Sequence, residues 1–245
     1  MPEYYKTKII RTDNLMQFYV YPEPITKDYD ITRKNYDKSE EGKKQKSSIN
    51  RARDNLILTI ESNMTEYTKF LTLTFKENIH KRIEAFEKFK IFKKQFKKEF
   101  GYLMPYVAIT EPQLKRQKKY DHKYPTIHFH IVVFLDKYLP FKDLKNIWGK
   151  YGSLLIKKVD DAKNTGIYFA KYLTKELLDL NKKALTKSRN LKEPITEYSH
   201  ERIIPKNYTY SNTYNVPKYN KQGELVSIMP VQFYEIRINQ LLDIE

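Results

Sequence analysis

The segment from Lys69 to about Leu180 alternates strand and helix signals, and this order constrains the fold more than any other feature of the sequence. Phe70–Phe75 (FLTLTF) alternates in period two, whereas phenylalanines recur every three or four residues over residues 80–100. Period two predicts a strand, and the longer spacing predicts an amphipathic helix. Gly101 follows the last phenylalanine, as a C-terminal glycine would.

The rest of this segment repeats the same two signals. Strands are predicted over residues 106–110, 126–135 and 153–159. Helices are predicted over residues 141–151 and from Asn164 or Thr165 to about Leu180. The resulting order is β-α-β-β-α-β-α. Two strand–helix units joined through a hairpin predict a central, mostly antiparallel sheet with helices packed on one face. The predicted fold class is therefore α+β, with an RRM-like βαββαβ core.

Weaker signals flank this core. Residues 1–46 are predicted to be irregular apart from one candidate edge strand over residues 19–22, and a helix is predicted over residues 49–63. A last short strand is predicted over residues 232–238. We therefore predict three domains. They are an N-terminal extension (residues 1–65), the core (residues 66–180), and a basic, aromatic C-terminal extension (residues 181–245) that packs on the core.

Charge predicts the kind of partner. The 245 residues include 46 Lys and Arg against 30 Asp and Glu, a formal net charge of +16, and 14% of the residues are aromatic. A basic, aromatic chain is typical of proteins that bind single-stranded nucleic acid. An AT-rich genome produces the same enrichment in Lys, Asn, Ile and Tyr, so composition alone leaves the partner open.

Composition also excludes several kinds of site. The chain has no cysteine, which excludes disulfides, thiolate zinc sites, iron–sulfur clusters and cysteine nucleophiles. No apolar run approaches the length of a membrane span, and the first ten residues lack the apolar stretch of a signal peptide. We therefore expect a cytoplasmic protein without a membrane partner.

Two histidines share the strongest predicted strand. His128 and His130 are two residues apart, so their imidazoles project from the same face and can bind one divalent ion. A pair of half-buried structural histidines gives the same pattern. Glu111 ends the preceding strand, and an antiparallel pairing would bring its carboxylate to the imidazoles. Such a set of ligands suits Mn²⁺ or Mg²⁺ acting on a phosphate.

A tyrosine motif lies on the last predicted helix. Tyr168 and Tyr172 are one turn apart, and Lys171 and Lys175 each follow a tyrosine by three residues. An ammonium favours the charged form of a nearby phenol, so a tyrosine here could serve as a nucleophile. Tyrosines packing an amphipathic helix on the sheet would give the same spacing.

Taken together, these motifs resemble the HUH endonuclease superfamily, specifically the rolling-circle replication initiators (Rep) of small plasmids and single-stranded DNA phages. Phe70–Phe75 is similar to the family's first motif, and His128-Phe129-His130 is similar to its metal motif. Tyr168–Lys175 is similar to its Y-x-x-K-Y-x-x-K tyrosine motif. The resemblance covers about residues 65–180, which form an HUH nuclease core.

The resemblance implies an enzyme that nicks and rejoins origin DNA. Glu111, His128 and His130 would hold Mn²⁺ or Mg²⁺. A tyrosine would attack the scissile phosphate to form a 5′-phosphotyrosine intermediate for rolling-circle replication. Because relatives with one tyrosine keep the second position, the resemblance ranks Tyr172 before Tyr168 as nucleophile. The lysines of the motif, Lys175 and less directly Lys171, would stabilise the phenolate or the phosphate.

Partners and alternatives follow from the same motifs. The expected DNA is a single-stranded or hairpin origin, and a host helicase and polymerase would extend it. The long basic loop at residues 113–124 is expected to contact DNA through four side chains, Lys115, Arg116, Lys118 and Lys119. The alternatives are an HUH transposase or relaxase, or a non-catalytic single-stranded nucleic-acid-binding protein.

Overall fold

A computed structural model of the chain describes residues 3–26, 41–170, 185–219 and 225–238. The strands are β1 (Tyr4–Arg11), β2 (Leu15–Thr26), β3 (Lys69–Leu73), β4 (Tyr106–Pro112), β5 (Ile127–Val133), β6 (Leu154–Lys158), β7 (Leu185–Lys187), β8 (Ile195–Ser199), β9 (Tyr210–Tyr219) and β10 (Leu225–Arg237). The helices are α1 (Glu41–Glu61), α2 (Arg82–Phe100), α3 (Leu114–Lys119), α4 (Phe141–Trp148) and α5 (Ala162–Ala170). The described residues form two five-stranded antiparallel sheets with helices, which confirms the α+β class.

The chain divides into two compact units. Unit 1 combines residues 1–47 with residues 193–245, and unit 2 consists of residues 48–192. The two ends of the chain therefore contribute to one unit, and all the candidate motifs lie in the other. The three domains assigned from the sequence, and the roles of its two extensions, stay predictions.

The sheet of unit 2 has the strand order β6-β3-β5-β4-β7, and every paired strand is antiparallel to its neighbour. Two strand–helix–strand units, β3-α2-β4 and β5-α4-β6, interleave so that β5 lies between β3 and β4. This is the βαββαβ arrangement that the sequence predicts. β5 therefore lies at the centre of the sheet and is hydrogen-bonded along both edges.

One face of this sheet packs against α2 and α4. The phenylalanine stripe of α2 supplies Phe89, Phe92 and Phe96, which are buried among sheet residues and Trp148 of α4. The helix ends at Gly101, whose φ of 81° is left-handed and whose N–H donates to the carbonyl of Lys97. Both the stripe and the terminal glycine were predicted correctly from their spacing.

The opposite face is also covered, by α1 and α5. Leu56 and Ile60 of α1 and Phe169 of α5 form a second apolar cluster with Phe70 of β3 and Val132 of β5. The expectation of helices on one face only was therefore wrong. All seven residues of β5 are buried, so both of its faces need cover, and an exposed face would have required alternation with polar residues.

Unit 1 is a sheet with the strand order β8-β1-β2-β10-β9. The first two strands form a hairpin, with Ile9 paired to Phe18, so the described residues 3–26 are not irregular as predicted. Two prolines at positions 22 and 24 and a register shift between Tyr5 and Thr7 obscure the local strand pattern. The predicted final strand is confirmed as part of β10, which begins earlier, at Leu225.

Gly152 lies where the chain entering β6 crosses the end of β3. A Cβ at this position would lie 1.8 Å from the carbonyl oxygen of Thr74 and 2.8 Å from Cα of Phe75. Neither backbone atom can rotate away. We expect Gly152→Ala to destabilise unit 2 by about 2 kcal/mol or more, measured by urea unfolding followed through the fluorescence of Trp148, the chain's one tryptophan.

Gly101→Ala provides the matched control for this substitution. Nothing lies within 4 Å of a Cβ at Gly101, so only its left-handed φ opposes the alanine. The expected cost is about 1 kcal/mol. A Gly152→Ala protein as stable as Gly101→Ala would contradict the close approach of the two backbones.

Candidate metal centre

The pairing of β4 with β5 brings together the three residues predicted as metal ligands. Glu111 is the direct partner of His128 across the ladder, and His130 lies two residues further along the same face. Oε2 of Glu111 is 2.5 Å from Nε2 of His128 and 2.8 Å from Nε2 of His130. One carboxylate oxygen therefore contacts both imidazoles, through the nitrogen farther from each backbone.

Both imidazoles are buried and are held from their other nitrogen. His128 is 9% exposed and His130 is 5% exposed. The side-chain amide of Gln113 lies 3.0 Å from Nδ1 of His128. Thr72, the partner of His130 on β3, has its hydroxyl 3.4 Å from Nδ1 of that ring. Contacts at Nδ1 orient a ring and leave Nε2 to face the shared carboxylate.

Burial also determines the charge of the two rings. It lowers the pKa of His128 and of His130 below the usual imidazole value, and this effect outweighs the opposing influence of Glu111. For His130, the neighbouring His128 acts in the same direction as burial. At neutral pH both imidazoles are therefore uncharged, which is the form that binds a metal ion.

These three residues fit a divalent cation. Their ligand atoms all lie within 4.8 Å of one another, and no other group of three possible ligands occurs among the residues that the structure describes. Two nitrogens and a carboxylate oxygen suit a borderline or hard ion, and a ligand set of three leaves positions for water or a phosphate oxygen. The Glu111 side chain is 35% exposed, so the cluster is accessible from solvent.

The lowered pKa values predict how metal binding depends on pH. Protons compete for the imidazole nitrogens only below the usual value of about 6.5, so Mn²⁺ affinity should be nearly constant from about pH 7.5 to 6.5 and should fall on further acidification. Without metal, the fold should lose stability over the same acidic range, because unfolded imidazoles take up protons that the folded ones resist. Calorimetric titration of Mn²⁺ across this range measures the first effect. Affinity that already falls above pH 7 would contradict burial as the controlling influence.

The sequence did not predict the supporting residues Gln113 and Thr72. Gln113 lies in the segment expected to be a basic loop, and that expectation was wrong in part because residues 114–119 form α3. Thr72 was part of a predicted strand without an assigned role. Thr72 alternates with the apolar residues Leu71 and Leu73 of its strand, and this polar position on a strand beside the histidines is a signal that could have indicated it.

Arg116 of α3 supports the centre indirectly. Its guanidinium donates to the backbone carbonyls of Phe75 and Lys76, at 2.8 Å and 3.1 Å, and lies 3.5 Å from the side-chain oxygen of Gln113. It therefore joins the end of β3 to the residue that contacts His128. The other three predicted DNA contacts, Lys115, Lys118 and Lys119, are exposed on the same helix. Contact of these four residues with DNA stays a prediction.

Tyr168 lies on α5, on the face of the sheet that carries the cluster. Its ring is 5.6 Å from that of Phe70, and the Phe70 ring is 5.8 Å from that of His130. Tyr168 is 43% exposed. The remaining residues of the predicted motif, Tyr172, Lys171 and Lys175, lie outside the described residues, so their roles stay predictions.

Comparison with protein families gives one match, which covers residues 68–177, just under half of the chain. These residues match the model of the replication-associated protein ORF2/G2P family. The replication-associated segment runs from the start of β3 past α5, so it contains Glu111, His128, His130 and the tyrosine motif. The resemblance to replication initiators is thereby confirmed at the level of this family, and membership of the HUH superfamily stays a prediction.

Two other comparisons add no relative to this family assignment. No curated protein and no solved structure matches the chain significantly. Within the described ranges of the chain, no helix has the length and apolar character required to cross a membrane.

Proposed function

We propose that this replication-associated protein is a replication initiator that nicks and rejoins single-stranded origin DNA by tyrosine transesterification, as HUH-type endonucleases do. The observation that carries the proposal is the Glu111–His128–His130 cluster within a segment of the ORF2/G2P family. A metal ion in this position, Mn²⁺ or Mg²⁺, would supply Lewis acidity to a phosphate oxygen. The three side chains would hold it.

The covalent step assigns a role to the tyrosine motif. The phenolic oxygen of Tyr172, or of Tyr168, attacks the scissile phosphorus, and the bond from phosphorus to the 3′ oxygen of the preceding nucleotide breaks. The products are a 5′-phosphotyrosine and a free 3′-hydroxyl that can prime synthesis. Since one phosphodiester replaces another, a later hydroxyl can reverse the step and rejoin the strand. Lys175 and Lys171 would stabilise the phenolate or the phosphate.

The position of Tyr168 supports this assignment. Its ring contacts Phe70, which in turn contacts His130, so the start of the motif lies on the same sheet face as the cluster. Tyr172 follows four residues later in the sequence. In-line attack requires a hydroxyl nucleophile close to the metal-bound phosphate, which is the role that the proposal gives to the motif.

The distribution of charge supports a nucleic-acid substrate for unit 2. This unit holds 31 Lys and Arg against 15 Asp and Glu, a formal charge of +16, whereas unit 1 holds 15 of each. The whole net charge of the chain therefore belongs to the unit with the cluster. Codon bias would enrich lysine in both units, so segregation favours a polyanionic partner for unit 2.

A covalent-adduct assay tests the proposal. The protein is incubated with Mn²⁺ and a random-sequence single-stranded DNA library, labelled at either the 3′ or the 5′ end, and resolved under denaturing conditions. We expect 3′-labelled DNA to move with the protein and 5′-labelled DNA to be released, with no adduct in EDTA. Salt-dependent binding without an adduct would instead favour the non-catalytic binder. Sequencing the attached DNA would identify the nicked site.

A further inference from the structure

The connection between β4 and β5 carries exposed aromatic rings among positive charges. Residues 113–126 contain five Lys and Arg and one Asp. Tyr120 is 58% exposed and Tyr124 is 48% exposed. Nζ of Lys119 lies 5.3 Å from the centre of the Tyr120 ring, and Nζ of Lys123 lies 5.5 Å from that of Tyr124. Rings and ammonium groups in one segment match the two parts of a nucleotide, its base and its phosphate.

This segment is ordered by hydrogen bonds before any ligand arrives. The carbonyl of Tyr124 accepts from the side-chain amide of Asn78, and the hydroxyl of Thr126 donates to the side-chain oxygen of Asn78, at 2.6 Å. The N–H of His122 donates to the carbonyl of Gln117, which closes the end of α3. The rings are therefore presented on a fixed backbone, and binding need not order it.

His80 adds a third ring to those of Tyr120 and Tyr124. It follows β3 in the chain and stacks on Tyr124, with ring centres 4.9 Å apart and planes inclined by 24°. His80 is itself exposed. We call Tyr120, Tyr124 and His80 the aromatic platform.

The segments that carry the platform are connected to the metal centre through the hydrogen bonds of Arg116 and Gln113. Arg116 of α3 lies 3.5 Å from the side chain of Gln113, which in turn contacts His128. Tyr120 follows Arg116 by four residues, directly after the end of α3. The guanidinium of Arg116 also donates hydrogen bonds to the backbone carbonyls of Phe75 and Lys76, which shortly precede His80 in the chain. The segments that carry the three rings are therefore tied to the residue that orients a metal ligand.

We propose that the aromatic platform is a binding site for unpaired bases of single-stranded DNA next to the metal centre, with the lysines of residues 115–123 contacting the phosphates. This inference deepens the proposed function, on which the identity of the DNA substrate rests. A base stacked on an exposed tyrosine is held more strongly than the lysine cation that lies over the ring, so the base can displace the ammonium toward a phosphate. Paired bases in a duplex are already stacked and cannot use the rings.

Binding without catalysis tests the platform. The full chain is titrated in EDTA into fluorescein-labelled oligothymidine of about 20 nucleotides, and fluorescence anisotropy gives the affinity. We expect the Tyr120→Ala, Tyr124→Ala double variant to bind about tenfold or more weakly than the unmodified protein. Replacing both tyrosines by phenylalanine, which stacks equally well, should leave the affinity within about twofold.

Tyr138→Ala is the matched control. Tyr138 is 66% exposed, and it follows the last residue of β5, whereas Tyr124 lies before the first residue of β5, at the opposite end of the strand. It should bind as the unmodified protein does. The logarithmic dependence of affinity on salt should be unchanged in the Tyr120→Ala, Tyr124→Ala variant, since rings neutralise no phosphate. It should become shallower in Lys118→Ala, Lys119→Ala. Unchanged unfolding midpoints confirm that every variant is folded.

Three results would overturn the platform. The first is a Tyr120→Ala, Tyr124→Ala variant that binds oligothymidine as tightly as the unmodified protein does. The second is a Tyr138→Ala variant that loses as much oligothymidine affinity as this double variant. The third is a double variant that loses as much affinity for a blunt duplex as for oligothymidine. Because the assay contains no metal and needs no covalent step, it succeeds or fails independently of nicking. Absence of the adduct would refute the proposed chemistry and leave this result in place.

Discussion

Replacing His128 and His130 by alanine should abolish Mn²⁺ binding and reduce adduct formation by at least about a hundredfold. Each imidazole supplies one ring nitrogen, and these nitrogens are two of the three ligand atoms that lie within 4.8 Å of one another. Changes to residues that merely support a metal ligand cost about 10- to 100-fold, so loss of two ligands should cost no less. Calorimetric titration measures binding, and the 3′-labelled DNA assay measures the adduct.

The alanine substitutions also remove buried rings, so the comparison needs two further variants. Glu111→Gln keeps the size of the side chain and removes the charge that attracts the cation, and it should weaken Mn²⁺ binding with little effect on stability. His200→Ala changes an exposed histidine of unit 1 and should leave Mn²⁺ binding and the adduct intact. Stoichiometric Mn²⁺ binding by a folded His128→Ala, His130→Ala protein would refute the site.

Replacing Tyr168 and Tyr172 together by phenylalanine should reduce the covalent adduct to background while leaving DNA binding unchanged. Phenylalanine lacks the oxygen that forms the phosphotyrosine bond, but it keeps the ring that packs at position 168 against Phe70. The variant therefore separates the chemistry from the fold. Denaturing gels measure the adduct, and anisotropy in EDTA measures the binding.

The two single variants should differ. Tyr172→Phe should lose most of the adduct and Tyr168→Phe a smaller part, following the order that the resemblance to initiators implies. Mass spectrometry of the adduct identifies the modified residue directly. Tyr138→Phe, an exposed tyrosine elsewhere in unit 2, should behave as the unmodified protein does. An adduct that survives in the double variant would assign the nucleophile to another residue.

The Glu111–His128–His130 cluster could be predicted because it depends on local geometry. Two histidines spaced by one residue share a face in any strand. A hairpin-like order then limits where Glu111 can pair, and the observed register places it opposite His128. The phenylalanine stripe of α2 could be predicted in the same way, because apolar residues spaced by three and four lie on one face of an α-helix.

Other parts of the fold depend on contacts between distant segments, which local patterns do not record. The pairing of β1 with β8 joins Thr7 to Ser199, and nothing near either residue signals the other. The six residues of α3, mostly lysine, arginine and glutamine, lack an apolar stripe. Their helix depends instead on contacts such as those of Arg116 with the end of β3. For the same reason Gln113 could not be assigned to the metal centre from sequence.

The sheet of unit 1 has a consequence for the order of folding. Its strands β8, β9 and β10 are made after all of unit 2, because residues 48–192 separate them from β1 and β2. A chain that folds as it is synthesised can complete the βαββαβ sheet before β8 and β10, which flank the β1–β2 hairpin, have been made. Closing a loop of this length is slow relative to the local pairing of β4 with β5. In refolding experiments, hydrogen-exchange protection should therefore develop in β5 before it develops in β1.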